Sequence, residues 1–438
     1  MKQTGFSAAG LMLLLAMGHG LVAACLAQAS KAVEPAGSVP KEARAEGGYA
    51  AAADYSAKFS GRAVLVMHKG EIVFERYDNG WTELRAHPLA SGTKSFSGVL
   101  AAIAIKQGLI SGWDEVISET VTEWKADAMK KNITLRHLLT LSSGLDPTED
   151  VLGTAGGRNS AIGDTSDRSA RGIGSREAKD KFAASITVKS KSEPGKKFEY
   201  GPSHFYAFGE FLTRKLKASD KVPESQRTVM AYMQANLFDP IGLKVGRFGK
   251  DAVGNPNLPG GCSLTAREWS KFGQLVLKQG VWTKSDGTSA QVVDRALLAD
   301  CMKPSSANAS YGMTWWLLNG DTGASAVADG GGAGGAGGPG ALGAAGGSGG
   351  ARARIRDAML RAEVGTAPAR ADGKPWEIYM AAGLGKQRLF VLPQEDMVIV
   401  RFAESTPAGR GFDNAEFLRL ALGLKQQEEG EKPARRGR

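Results

Sequence analysis

Apolar residues crowd the stretch RAVLVMHKGEIVFERY at residues 62–77, in two runs rich in Val, Ile and Phe that flank Lys69-Gly70. Two such runs around a glycine turn predict a β-hairpin. From Ser91 the period changes. Phe96, Val99, Leu100 and Ile103 fall at i, i+3, i+4 and i+7, with Ala101, Ala102 and Ala104 filling the other faces. That spacing predicts a helix, apolar on so many sides that it belongs in the interior; Gly108 stops it. Helical patterning returns over 135–141, 205–216, 229–237 and 266–278. Extended apolar runs return over 389–392 and 397–402, with a turn at 393–396. Strands near both ends and helices between them predict an α/β protein of the α+β type. Its antiparallel sheet is built from the N- and C-terminal segments and flanked by helices, and a mainly helical domain is inserted. The α/β domain takes residues 51–90 plus 260–424, and the helical domain, carrying the Ser91 helix, takes 91–259.

Other segments fit neither period. Residues 329–350 are almost all Gly and Ala, offer few side chains to bury and read as a flexible insertion, with a short basic helix at 352–363. Polar, glycine-bearing linkage fills 152–177, and 425–438 is a charged tail. At the other end, Lys2 precedes an apolar run over 6–24, followed by small residues, which describes a secretory signal peptide. Two cleavage readings stand. Ala27-Gln28-Ala29 gives a signal of residues 1–29, whereas Val22-Ala23-Ala24-Cys25 resembles a lipobox, with the signal ending at 24 and lipid on Cys25. A membrane anchor fits less well, because Gly18, His19 and Gly20 interrupt a short run. Residues 30–50 read as a tether. The expectation is an exported protein of the periplasm or cell envelope that meets a membrane only through lipid on Cys25.

The chain has 438 residues and a formal net charge of +10. No basic run is interleaved with aromatics, so nucleic acid is not an expected partner. With Cys25 removed or lipidated, Cys262 and Cys301 remain, as a disulfide or as two buried thiols. The five histidines form no metal-ligand spacing, and no CxxC or Walker loop is present, so no cofactor or metal is expected. Gly346-Gly347-Ser348-Gly349-Gly350 spells GxSxG, but it lies in the Gly/Ala run and no histidine follows His204. A nucleophile elbow needs a preceding strand, a following helix and a later histidine.

A serine nucleophile without a usable histidine needs another base, and lysine can serve. Ser-x-x-Lys occurs at Ser38–Lys41, inside the tether and beside Pro40, and at Ser91-Gly92-Thr93-Lys94, which opens the buried helix. At a helix start, positions i and i+3 share a face, so Lys94 reaches the Ser91 hydroxyl. Burial lowers a lysine's pKa toward neutrality. From these residues alone a plain alternative stands: Ser91 as an N-cap and Lys94 as a solvated first-turn lysine.

The stretch ASGTKSF at 90–96 resembles the active-site serine motif of the class C β-lactamase-like family, which includes D-Ala-D-Ala peptidases, family VIII carboxylesterases and nylon-oligomer hydrolases. Further resemblances follow in order: ITLRHLLTLSSGL at 133–145, PGKKFEY at 194–200, LFDPIGL at 237–243, GGCSLTARE at 260–268 and YGMTWW at 311–316. The resemblance covers residues 61–402 apart from the Gly/Ala run and some loops. It implies Ser91 as nucleophile, Lys94 as its activator and Tyr200 as base and leaving-group acid. It also implies backbone N–H groups of Ser91 and Leu384 as an oxyanion hole.

The sequence departs from that family at two motifs. Tyr-x-Asn becomes Tyr200-Gly201-Pro202, and the literal Tyr77-Asp78-Asn79 lies on the first hairpin, before the serine. Lys-Thr-Gly becomes Ala381-Ala382-Gly383, where Gly383 lets the strand pass close to a bound acyl group. The lost Asn would bind a substrate amide and the lost cation a substrate carboxylate, a role that the nearby Lys386 or Arg388 is not expected to fill. The expected function is therefore a serine hydrolase acting on small-molecule esters or short amides. The alternatives are a β-lactamase or D-Ala-D-Ala carboxypeptidase, and a non-catalytic envelope binding protein. Trp315 and Trp316 line the acyl pocket in this reading, or else pack in the core. His137 reads as a structural histidine.

Overall fold

The structure, a computed structural model, describes residues 48–147, 178–318, 364–370, 372–406 and 411–424. The signal, Cys25, most of the tether, the 152–177 linkage, the Gly/Ala run, the 352–363 helix and the charged tail lie outside these residues. The described residues belong to one compact unit, Glu42–Arg438.

The chain enters through α1 (Tyr49–Lys58), so the expected tether stops two residues sooner than its composition suggests. β1 (Gly61–His68) and β2 (Glu71–Tyr77) form the predicted hairpin. A 3-10 turn over Ala90–Lys94 leads into α2 (Ser95–Lys106), in which every residue from Ser95 to Ala104 is buried. Helices α3 (Leu135–Leu139), α4 (Ser203–Ala218) and α5 (Val229–Met233) follow, then α6 (Ala266–Leu277). The chain returns through β3 (Trp316–Leu317), β4 (Tyr379–Gly383), β5 (Gln387–Leu392), β6 (Met397–Ala403) and α7 (Asn414–Ala421).

The six strands form one antiparallel sheet in the order β2-β1-β6-β5-β4-β3. β1 pairs with β6 from Gly61 opposite Ala403 to His68 opposite Met397, which unites the two ends of the chain as expected. The sheet is covered on both faces, and this explains why β5 and β6 carry apolar residues at consecutive positions, 389–392 and 397–400, rather than alternating ones. On one face α6 lies against Leu389 and Val398, and Trp269 stacks on Phe402 at 5.4 Å. On the other face Phe390 meets Phe417 of α7. There too, Arg401 donates to Ser56 Oγ at 2.9 Å and to the Phe59 carbonyl at 2.9 Å, tying β6 to α1. Arg401 is a buried cation held by oxygen acceptors, the condition under which a charge tolerates an apolar interior.

Cys262 and Cys301 are free and buried, so of the two readings left open, the thiols stand. Burial raises the pKa of both, leaving them protonated.

Candidate active site

Ser91 sits in the 3-10 turn, directly after Ala90, whose φ of +48° is left-handed. A non-glycine residue there carries backbone strain on the order of 1 kcal/mol. The surroundings hold it in place. Leu89 N–H donates to the Cys262 carbonyl at 2.9 Å, and Thr93 Oγ1 donates to the Ala90 carbonyl at 2.8 Å. Ser91 is thus inside a clamped turn rather than an N-cap, which removes the plain alternative.

Lys94 points back along this turn. Its Nζ lies 3.0 Å from Ser91 Oγ and donates to the Pro259 carbonyl at 2.7 Å. The side chain is 5% exposed, and no carboxylate among the described residues pairs with it. Burial alone pulls its pKa down to about 7. Around it lie aromatic rings: Tyr200 at 5.0 Å and Phe205 at 5.4 Å from the ammonium to the ring centres. Ser91, Lys94 and Tyr200, drawn from segments more than a hundred residues apart, are therefore brought together.

The Tyr200 segment is fixed by the loop over 141–145, one of the stretches quoted for the resemblance. Glu199 N–H donates to the Leu141 carbonyl at 2.8 Å, and Gly195 N–H to the Ser142 carbonyl at 2.7 Å. Leu141 itself has φ +57°. Gly201 is required because a Cβ there would collide with Pro147. Helix α3, which leads into this loop, reaches the serine helix through Thr314, in the YGMTWW turn. Thr314 N–H donates to the Leu139 carbonyl at 3.0 Å, and its own carbonyl accepts from Ser95 Oγ at 2.8 Å. Nothing in the sequence marks Thr314, whose φ is +72° without a glycine. Neither does anything mark the Pro259 carbonyl.

Gly383 is required by the serine's own turn, since a Cβ there would collide with the Leu89 carbonyl. One expectation, Trp315 in the pocket, needs correction. Trp315 does not line the site: it is fully buried and stacks on Phe272 at 5.6 Å in the core. Arg388 is no replacement for the lost recognition cation. It is buried and donates to the Gly383 carbonyl at 3.1 Å and to Asn414 Oδ1 at 3.2 Å, so it supports β4 from behind. Lys386 is likewise buried.

Trp316 does stand at the site, stacked on Tyr200 at 5.9 Å and 25°, with Phe198 and Tyr311 meeting it at 6.0 and 4.8 Å. Leu384 follows Gly383 at the end of β4, and its side chain is 46% exposed. Since β4 runs against Leu89 and Ala90, the Leu384 peptide lies beside the serine turn. His137 is structural: its Nδ1 accepts from Thr134 N–H at 3.2 Å in a capping box on α3. Among the described residues no group of His, Cys, Asp and Glu is arranged to hold a metal ion. A cleft of about 650 Å³ opens elsewhere, among residues that include Lys217, Arg227 and Lys250; it contains none of the three converging residues.

An antiparallel sheet joined from both chain ends, packed beside a helix that opens on a serine and a buried lysine, defines the fold of the serine β-lactamase and transpeptidase class. The Beta-lactamase family model matches residues 48–423, and the chain belongs to that family, whose members are serine hydrolases. No curated protein sequence matches it. Among solved structures it is similar to a Bacillus anthracis protein assigned as a 6-aminohexanoate-dimer hydrolase. The identity is 17% and the TM-score 0.55, over 84% of this chain and 79% of that one. It is also similar to EstCE1, a hydrolase with promiscuous acyltransferase activity, at 14% identity and TM-score 0.52 over 86% and 96%. The octameric penicillin-binding protein homologue from Pyrococcus abyssi is similar at 12% identity and TM-score 0.52, over 86% and 76%.

Proposed function

We propose that the protein is a serine hydrolase that forms an acyl-enzyme on Ser91 and acts on small esters or short amides. The observation that carries this reading is the Lys94 amine, 3.0 Å from Ser91 Oγ and tuned by burial to a pKa of about 7. In its neutral form the amine accepts the Ser91 proton as the oxygen attacks the substrate carbonyl, a general-base role that needs a pKa near the working pH. Tyr200, beside the amine, carries a proton to the leaving oxygen or nitrogen and then helps to activate the deacylating water. The N–H groups of Ser91 and Leu384 hold the oxyanion, and Trp316 forms an aromatic wall.

The preference for esters rests on what is missing. Pro202 stands where an amide-binding Asn would be, and Ala381 where a cation would meet a carboxylate. Arg388 is buried and bonded to Asn414 and to the Gly383 carbonyl. Purified protein should hydrolyse p-nitrophenyl butyrate at least about tenfold more efficiently than nitrocefin or a D-Ala-D-Ala peptide, with all turnover lost in Ser91→Ala. Nitrocefin turnover equal to the ester's would favour the β-lactamase reading instead. Inertness toward all three would favour a binding role.

We further propose that the protein is exported. Mass spectrometry of the mature N-terminus should find Ser30 or a lipidated Cys25, and an intact Met1 would contradict export.

A further inference from the structure

The sequence used His204 only to exclude a histidine-based triad. In the structure it is fully buried one turn beyond Tyr200, on α4. Both of its ring nitrogens are engaged: Nε2 lies 2.8 Å from the Glu199 carbonyl, and Nδ1 lies 2.9 Å from Ser143 Oγ. A carbonyl only accepts, so Nε2 carries the hydrogen and Nδ1 takes one from the Ser143 hydroxyl. Ser143 Oγ in turn accepts the Leu145 N–H at 3.3 Å. Burial pulls the imidazole down to about pKa 4; the Glu199 carbonyl opposes that shift and the nearby Lys94 charge adds to it. The ring is therefore a neutral, single-tautomer strut at working pH.

The Glu199 carbonyl belongs to the peptide unit that joins Glu199 to Tyr200. Its N-terminal neighbour, the Glu199 N–H, is already held by Leu141. His204 thus fixes the one remaining polar group of the backbone immediately before the phenol-bearing residue. It does so from α4, an element that Tyr200 itself does not belong to. Downstream, Pro202 has no N–H with which to hold the loop. We propose that His204, seated by Ser143, is a positioning residue that sets the Tyr200 phenol against Lys94 and Ser91. This proposal rests on the serine-hydrolase reading above. His204 touches no substrate; it acts through Tyr200.

The test is a double-mutant cycle read with p-nitrophenyl butyrate. His204→Phe fills the space without either hydrogen bond. It should lower kcat roughly 10- to 100-fold with KM nearly unchanged, the scale on which small misplacements of catalytic groups act. In a Tyr200→Phe background the same change should cost less than about twofold, because the group it positions is gone. His204→Gln, whose amide nitrogen stands near the position of Nε2, should recover activity to within about fivefold of the parent. Ser143→Ala should give a milder loss of kcat that also vanishes with Tyr200→Phe. If His204→Phe fails to fold, the Gln and Ala variants complete the cycle. Equal losses in both backgrounds would overturn the proposal, since a general structural role costs the same with or without the phenol.

Hydrogen exchange supplies a readout independent of turnover. Peptides covering residues 197–203 should exchange faster in His204→Phe while those of α2 do not. Unchanged exchange over 197–203 would overturn the positioning role whatever the activity. An inert wild type that still shows the exchange response would contradict only the hydrolase reading on which the role depends.

Discussion

Lys94 is the residue at which chemistry and stability oppose each other. Its pKa is 10.5 when free and about 7 when buried, so between these values the unfolded chain binds more protons than the folded one. Stability then rises with pH across that window. Below pH 7 both states are charged and the full cost of burying the ammonium is present; above 10.5 both are neutral and it is gone. Lys94→Met should therefore stabilise the protein by up to about 5 kcal/mol at pH 6, with the gain fading toward pH 10, as chemical denaturation at several pH values would show. The same variant should lose activity by at least about 10³-fold. In the wild type, kcat/KM should rise with pH and level off above about 7, as the amine loses its proton. A profile flat from pH 5 to 9 would exclude Lys94 as the titrating base. The spacing of Ser91 and Lys94 was legible because i and i+3 share a face. The bare carbonyl of Pro259, which also binds the lysine, was not, because a backbone acceptor has no residue type to read.

At the scale of the elements, periodicity located the hairpin, the buried serine helix, α4, α6 and the two C-terminal strands. It missed β3, which is two residues long, and the helices α1 and α7, which cover the sheet from its other face. Their sequences place small and charged residues among the apolar ones, and only the packed sheet reveals which side is needed. At Gly383 the structure adds a constraint that residue type alone does not show. The strand presses on the carbonyl of Leu89, two residues before Ser91. Gly383→Ala should therefore cost about 1–3 kcal/mol through overpacking and slow acylation by shifting the serine turn. A thermal melt and a single-turnover assay would check both. An unchanged melt would mean that the strand yields freely.

At the scale of the whole molecule, the sheet can close only when both ends of the chain are present, because β6 lies between β1 and β5. A chain ending at residue 396 leaves two long apolar strands unpaired, so it should be recovered as aggregate rather than as a smaller folded protein; a soluble, cooperatively melting fragment would contradict the topology. Further bonds explain how Lys94 and Tyr200 meet. Thr314 bonds both α3 and the serine helix, and the 141–145 loop carries the contact on to Glu199. The three converging side chains thus depend on a hydrogen-bonded frame from three separate segments.

The central claim is that Ser91, beside Lys94, is the nucleophile. It is tested most directly by treating the folded protein with a fluorophosphonate and locating the adduct by peptide mass spectrometry. One phosphonylated residue is expected, Ser91, with labelling abolished in Ser91→Ala and slowed at least about 10³-fold in Lys94→Met. A folded wild type that takes no label, or takes it at another serine, would contradict the account.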